Sequence, residues 1–154
     1  MLSILLGHSY FLRLDPKQWQ RAKPYPPLAT LPLAARLRAL GHRVSLFDAM
    51  LADGIGDYER QLGALEPQLV LLYEDNYNFL TKMCLARMRR AACSMIAAAR
   101  RAAARVIVAG SDATDVPQAY LAAGADVVLA GEGLEALDQL LARLDGRPDV
   151  AIGQ

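Results

Sequence analysis

Two clusters of small and polar residues mark where this chain could do chemistry. Gly110-Ser111-Asp112-Ala113-Thr114 and Gly131-Glu132-Gly133 each directly follow an apolar run, Val106–Ala109 in one case and Val127–Ala130 in the other. Small residues let a large flat ligand come close to the backbone, and Glu132 adds an acceptor. Two further polar stretches stand in the same relation to apolar runs. Gly7-His8-Ser9-Tyr10 follows Leu2–Leu6, and Glu74-Asp75-Asn76-Tyr77-Asn78 follows Leu69–Tyr73. The chemistry these sets suit is binding, and no catalytic set is assigned.

The elements that position them follow from the apolar pattern. Leu2–Leu6, Val44–Phe47, Leu69–Tyr73, Val106–Ala109 and Val127–Ala130 are short runs, apolar on both faces, as strands of a helix-covered parallel sheet are. Between them lie helical periodicities. Thr30 is placed to cap a helix with Pro32 in its first turn, a core stripe of Leu33, Leu37 and Leu40, and a stop at Gly41. A second helix carries Ile55, Tyr58, Leu62 and Leu65 and ends before Pro67. A long one spans about Phe79 to Ala103. Its sheet-facing side is Leu80, Met83, Met88, Ala91, Met95 and Ile96, with Lys82, Arg89, Arg90, Arg100 and Arg101 in solvent. A shorter helix spans about Val116 to Ala123. The last carries Leu134, Leu137, Leu140, Leu141 and Leu144 and stops at Gly146 and Pro148. Residues 10–30 are expected to be irregular, because Pro16, Pro24, Pro26 and Pro27 forbid a long helix.

Strands alternating with helices make βαβ units, and right-handed crossovers then predict a doubly wound sheet. The expected fold is α/β, a three-layer αβα sandwich around a five-stranded parallel sheet of flavodoxin-like (Rossmann-like) order 2-1-3-4-5. Ligands of such sheets bind outside the carboxyl ends of the strands, where all four polar stretches fall. Residues 1–148 form the expected domain, and 149–154 a tail or linker to a further domain.

The totals agree with a single folded domain: 154 residues, 54% hydrophobic and 21% charged. A net charge of +1 points to neither nucleic acid nor an anionic membrane. The apolar start, Met1–Leu6, is too short for a signal peptide or a membrane span. Cys84 and Cys93 are nine residues apart, on opposite faces of a common helix, so they neither bond nor share a metal. The reading is a reduced, cytoplasmic protein with two buried structural thiols.

Several ligand classes lack their signatures. No Gly-x-Gly-x-x-Gly follows the first strand, and no Gly-Lys-Ser/Thr is present. A phosphoacceptor receiver domain has this topology, but its acidic pair and lysine are replaced by Gly7-His8 and Gly131-Glu132. Flavodoxin-type phosphate binding finds only Ser9 in the first loop. His42, after Gly41 at a helix end, reads as a cation favoured by the helix dipole. His8 faces the binding edge, where it is either a metal-cofactor ligand or a hydrogen-bonded loop residue.

At this point the residues resemble a family. Tyr25-Pro26-Pro27-Leu28, the helix Leu33-Ala34-Ala35-Arg36-Leu37-Arg38-Ala39-Leu40-Gly41-His42-Arg43-Val44 and then Phe47-Asp48 look like the first half of a cobalamin-binding domain. Val108-Ala109-Gly110-Ser111-Asp112-Ala113-Thr114 and Asp126-Val127-Val128-Leu129-Ala130-Gly131-Glu132-Gly133-Leu134-Glu135 look like its second half. The closest kind is the amino-terminal Rossmann-like domain of cobalamin-dependent radical S-adenosylmethionine enzymes. The resemblance implies strand ends that hold the lower face of the corrin ring and its dimethylbenzimidazole tail. By position the cofactor-binding residues are His8, Ser9, Tyr10, Glu74, Asp75, Asn76, Tyr77, Gly110, Ser111, Asp112, Thr114, Gly131, Glu132 and Gly133.

Cobalamin domains of the mutase type carry Asp-x-His-x-x-Gly after strand one. Here Leu6 stands for the Asp, His8 for the His and Phe11 for the Gly. The carboxylate that would orient the imidazole is missing, so the expectation is that His8 is not the lower axial ligand of cobalt. The radical motif Cys-x-x-x-Cys-x-x-Cys is also absent, so this chain binds no four-iron four-sulfur cluster. The resemblance implies a corrinoid-binding module with a downstream radical S-adenosylmethionine domain in the parent enzyme, a methyltransferase or cyclase type. That domain would hold S-adenosylmethionine and the cluster, and this chain alone would not be catalytic. Two alternatives stand beside it: a degenerate interaction or regulatory domain without corrin, and a small flavodoxin-like protein that binds a phosphorylated ligand.

Overall fold

The computed structural model describes residues 1–74, 84–131 and 133–146. Five strands, β1 (Ser3–Gly7), β2 (Arg43–Phe47), β3 (Leu69–Tyr73), β4 (Arg105–Ala109) and β5 (Val127–Leu129), pair in parallel in the order β2-β1-β3-β4-β5. The registers place Leu6 beside Leu46 and Leu71, Leu71 beside Ile107, and Val108 beside Val128. The predicted sheet and its order are therefore what forms.

Alternation along the strands splits the core in two. Leu5, Val70, Leu72, Val106 and Val108 face α3 (Ile55–Leu65), α4 (Leu85–Arg101) and α6 (Pro117–Ala122), against Tyr58, Leu62, Met95, Ile96 and Tyr120. Ile4, Leu6, Leu69, Leu71 and Ile107 face α2 (Thr30–Ala39) and α7 (Leu134–Leu144), against Leu33, Leu37, Leu137 and Leu141. Neither face of the sheet is left to water, which is why its strands read as unbroken apolar runs rather than alternating ones.

Local details differ from the sequence reading, for identifiable reasons. The 10–30 segment is not wholly irregular: it holds a 3-10 turn at Leu12–Leu14 and a short helix, α1 (Pro16–Arg21). Asp15 makes that helix possible, because its carboxylate accepts from the Lys17 and Gln18 amides, both at 3.2 Å, while Pro16 takes the first helical position. Thr30 does not cap α2. It is the first helical residue, and its buried hydroxyl has no hydrogen-bond partner among the described residues. Leu40 ends α2 on its exposed side rather than completing the core stripe.

The 111–122 region forms two helices, α5 (Ser111–Asp115) and α6, because Val116 before Pro117 is forced out of the helical region, at φ −135° and ψ 56°. In α4, Met88, Met95 and Ile96 are buried as predicted, while Leu80, Lys82 and Met83 lie outside the described residues. Cys84 is buried at the start of α4, and Cys93 is only half-buried; both are free thiols. His42 is not a helix-end cation: its Nδ1 accepts the Leu2 N–H at 3.2 Å, which requires that nitrogen unprotonated.

Candidate functional site

From β1 the chain crosses first to β2 on one side and later to β3 on the other, so the carboxyl ends of β1 and β3 flank the switch point of the sheet. Around it, one half of the edge is built from side chains that bond to one another. Gly7 permits the approach: a Cβ there would lie 3.2 Å from the Phe47 carbonyl oxygen of β2. That closeness puts His8 beside Asp48, at the carboxyl end of β2. The imidazole Nε2 meets Asp48 Oδ1 at 3.1 Å, and Nδ1 accepts the Tyr10 amide at 3.2 Å. Nε2 therefore carries the proton, and the ring, 3% exposed, has both nitrogens in use.

The carboxylate missing from the sequence motif is thus present, supplied from β2 instead of from two residues before the histidine. That corrects the sequence reading. It does not open the ring to a metal, because a ligating nitrogen would have to break one of these two bonds.

Ser9 is fully buried and donates to Glu74 Oε2. Glu74 stands at the end of β3, its amide bonded to the Ala109 carbonyl at 2.6 Å, and is 1% exposed. Its Oε1 has no hydrogen-bond partner among the described residues. Burial pushes this carboxyl up to about 7; the Ser9 hydroxyl opposes the rise and the charge of Asp112 adds to it. Asp112, on α5, is held in a bidentate pair by Arg89, at 2.9 Å from Nε and 2.6 Å from the terminal nitrogen, and accepts from the Tyr120 hydroxyl. Burial raises the Asp112 carboxyl, but Arg89 and Tyr120 outweigh it and hold it below the ordinary aspartate range. Arg89, expected in solvent, is drawn inward by this pair, which makes its guanidinium still more basic. Tyr10 is also buried, its hydroxyl donating to Asp15 Oδ2 at 2.7 Å.

The other half of the edge is built from backbone. Gly110, at φ 113°, turns the chain from β4 into α5, and Gly131, at φ 70°, turns it out of β5; both conformations favour glycine. Thr114 joins the two turns. Its hydroxyl donates to the Gly110 carbonyl and accepts the Gly131 amide, both at 2.9 Å. Ser111 and Gly131 are exposed, and a Cβ on Gly131 would meet nothing within 4 Å. Gly133 is packed more closely, its Cβ position 3.1 Å from Leu129 Cβ.

Of the predicted site residues, Gly110, Ser111, Thr114, Gly131 and Gly133 are therefore brought together as one ledge. His8, Ser9, Tyr10, Glu74 and Asp112 are buried, with their polar atoms bonded to internal partners except Glu74 Oε1. Asp75, Asn76, Tyr77 and Glu132 lie outside the described residues. Sequence reasoning missed Asp48, Arg89 and Tyr120. Asp48 carried a usable signal, since it ends β2 as His8 follows β1; Arg89 carried none that set it apart from its arginine neighbours. Among the described residues no group of three or more His, Cys, Asp or Glu side chains could hold a metal ion, and no helix is long and apolar enough to cross a membrane.

Fold and edge together define a doubly wound α/β domain with two glycine turns joined at its strand ends. Over 97% of its length the chain is similar to OxsB, described as a cobalamin-dependent S-adenosylmethionine radical enzyme with aqua-cobalamin and S-adenosylmethionine bound, with a TM-score of 0.69 and 16% identity. Over 94% it is similar to the radical S-adenosylmethionine methyltransferase TsrM from Kitasatospora setae. The TM-score is 0.65 with 21% identity for the form with cobalamin and a 4Fe-4S cluster bound, and 0.64 with 22% for the form with tryptophan substrate and a S-adenosylmethionine analogue. At these identities the likeness is one of fold. This chain spans 20% of the OxsB chain and 25% and 26% of the two TsrM chains. No protein-family model matches the chain, and no curated protein matches it.

Proposed function

We propose that this chain is a cobalamin-binding module whose corrinoid lies against the ledge formed by Gly110–Thr114 and Gly131–Gly133. The observation that carries the reading is the junction at Thr114, which ties two glycine turns together, with nothing among the described residues within 4 Å of a Cβ placed on Gly131. A wide flat ligand needs such a surface, and proteins of this fold are described with cobalamin bound. The chain's residues fit the group in one further respect. His8 is already held by Asp48 and the Tyr10 amide, so the corrin would rest on the edge without an imidazole on cobalt.

Bound corrinoid supplies a metal centre that carries a group or an electron, and the protein supplies position and access. Ser111 and Thr114 would orient the ligand through hydroxyl and backbone, and Glu132 and Asp75–Tyr77 would complete the cleft. Residues 149–154 would lead to a downstream radical S-adenosylmethionine domain of a parent methyltransferase or cyclase in the cytoplasm. S-adenosylmethionine and the iron–sulfur cluster would be held there. A second reading is favoured by the buried network: His8, Tyr10 and Asp112 bond internally, as in an interaction domain that holds no corrin.

Mixing the chain with hydroxocobalamin, desalting it, and recording the visible spectrum beside a cobalt assay separates the two. Stoichiometric corrin is expected, and Ser111→Trp is expected to abolish its retention with the thermal midpoint unchanged, because Ser111 is exposed on the ledge. Corrin-free protein from the parent chain supports the second reading instead.

A further inference from the structure

Away from the ledge, a cavity of about 390 Å³ opens between the 3-10 turn after β1, the start of α3 and the first half of α4. Its volume is in the range of small-molecule sites. Three guanidinium groups line it, those of Arg13, Arg87 and Arg90, against a single carboxylate, Asp53. Arg13 pairs with Asp53 and lies 4.7 Å over the Trp19 ring. Arg87 uses one nitrogen on the Leu14 carbonyl at 3.3 Å, and its other donors have no partner among the described residues. The Arg90 guanidinium has no hydrogen bond or ion pair among the described residues, the Ser94 hydroxyl donating to the Arg90 carbonyl at 3.1 Å.

The lining thus carries a local charge of about +2 by this count, on a protein whose net charge is +1. The rest of the wall is mostly apolar, Phe11, Leu14, Ile55 and Ala91, with Gly54 and the Ser94 hydroxyl completing it. Guanidinium groups in a concave, partly apolar site favour an oxyanion able to take paired N–H donors, with a compact hydrophobic body behind it. A dianion matches the charge count better than a monoanion.

We propose that this cleft is a binding site for a small phosphate monoester with an apolar or aromatic body, separate from the strand-end ledge. Phosphate supplies the charge for Arg87 and Arg90, and the organic group covers Leu14, Ile55 and Ala91. The site does not depend on whether the ledge holds corrin, and its residues are on different elements from Gly110–Thr114.

Calorimetric titration of the full chain with phenyl phosphate, inorganic phosphate and phenol tests the proposal. Phenyl phosphate is expected to bind, inorganic phosphate to bind more weakly, and phenol not at all. The double variant Arg87→Ala/Arg90→Ala is expected to weaken phenyl phosphate on the order of tenfold or more, since each charge-assisted pair contributes that much. Arg90→Glu, at an exposed helix position, is a second variant expected to weaken it similarly without disturbing the core. Three results would overturn the proposal: no binding of phenyl phosphate to the parent, equal binding to both arginine variants, or loss of binding in Ser111→Trp, which would move the anion to the ledge. Equal affinity for phenyl phosphate and inorganic phosphate would remove the apolar part of the assignment.

Discussion

The two halves of the strand-end edge are made by opposite means. Around β1, β2 and β3, side chains 23 to 65 residues apart in sequence bond to one another, with His8, Ser9, Glu74 and Asp112 buried and Asp48 and Arg89 partly exposed. At β4 and β5 the surface is glycine, serine and backbone, and a single threonine joins the two turns. The first half gives the edge its rigidity and the second gives it room.

The sharpest way to break the contrast is bulk on the open half. Ser111→Trp should remove corrin retention altogether and leave the unfolding midpoint where it was; a variant that keeps the cofactor would place the cleft elsewhere. On the closed half the reverse is expected. Arg89→Ala strands Asp112 in the interior with only the Tyr120 hydroxyl, so urea unfolding should show a loss of about 3 kcal/mol. An unchanged midpoint would mean that Asp112 is not held by that pair.

Glu74 refines the contrast through pH. Its carboxyl is raised in the folded protein from 4.5 to about 7, so the native state binds the proton more tightly than the unfolded chain. The stability from this group is complete below about pH 4.5 and is lost as pH rises through about 7, a span of about 3 kcal/mol at most. Asp112 works in the other direction, since its carboxyl is depressed and its contribution fades only in stronger acid. Unfolding free energy measured from pH 5 to 8 should therefore fall, and Glu74→Gln should flatten the slope; an equal slope in both proteins would assign it to another group. The smallest effect is expected from Thr114→Val, about 1 kcal/mol, because the Gly131 amide it releases can turn to water. Its corrin affinity should drop by less than that of Ser111→Trp.

The strands and their order were legible because both faces of the sheet are covered, which leaves each strand as a run of apolar residues bounded by glycine or acid. The two glycine turns were legible too, since glycines placed just beyond strands mark turns at the carboxyl-end edge. What could not be read was which polar side chains find each other. His8 and Asp48 are 40 positions apart and meet only because β1 pairs with β2 in a register that sets Gly7 against Phe47. Arg89 stands in a run of arginines, and only the packing of α4 against α5 and α6 picks it out for Asp112. Helix α1 was hidden by prolines, one of which occupies its first position, where proline favours a helix.

The length of β5 has a consequence for how this protein behaves in company. At three residues, Val127–Leu129, it ends the sheet with few unpaired amides and carbonyls on that side. A longer strand there would be a template for another chain to add to, and stacked copies of such edges are how sheet proteins aggregate. On that flank the protein offers a short template, so a partner strand added there would gain few main-chain bonds.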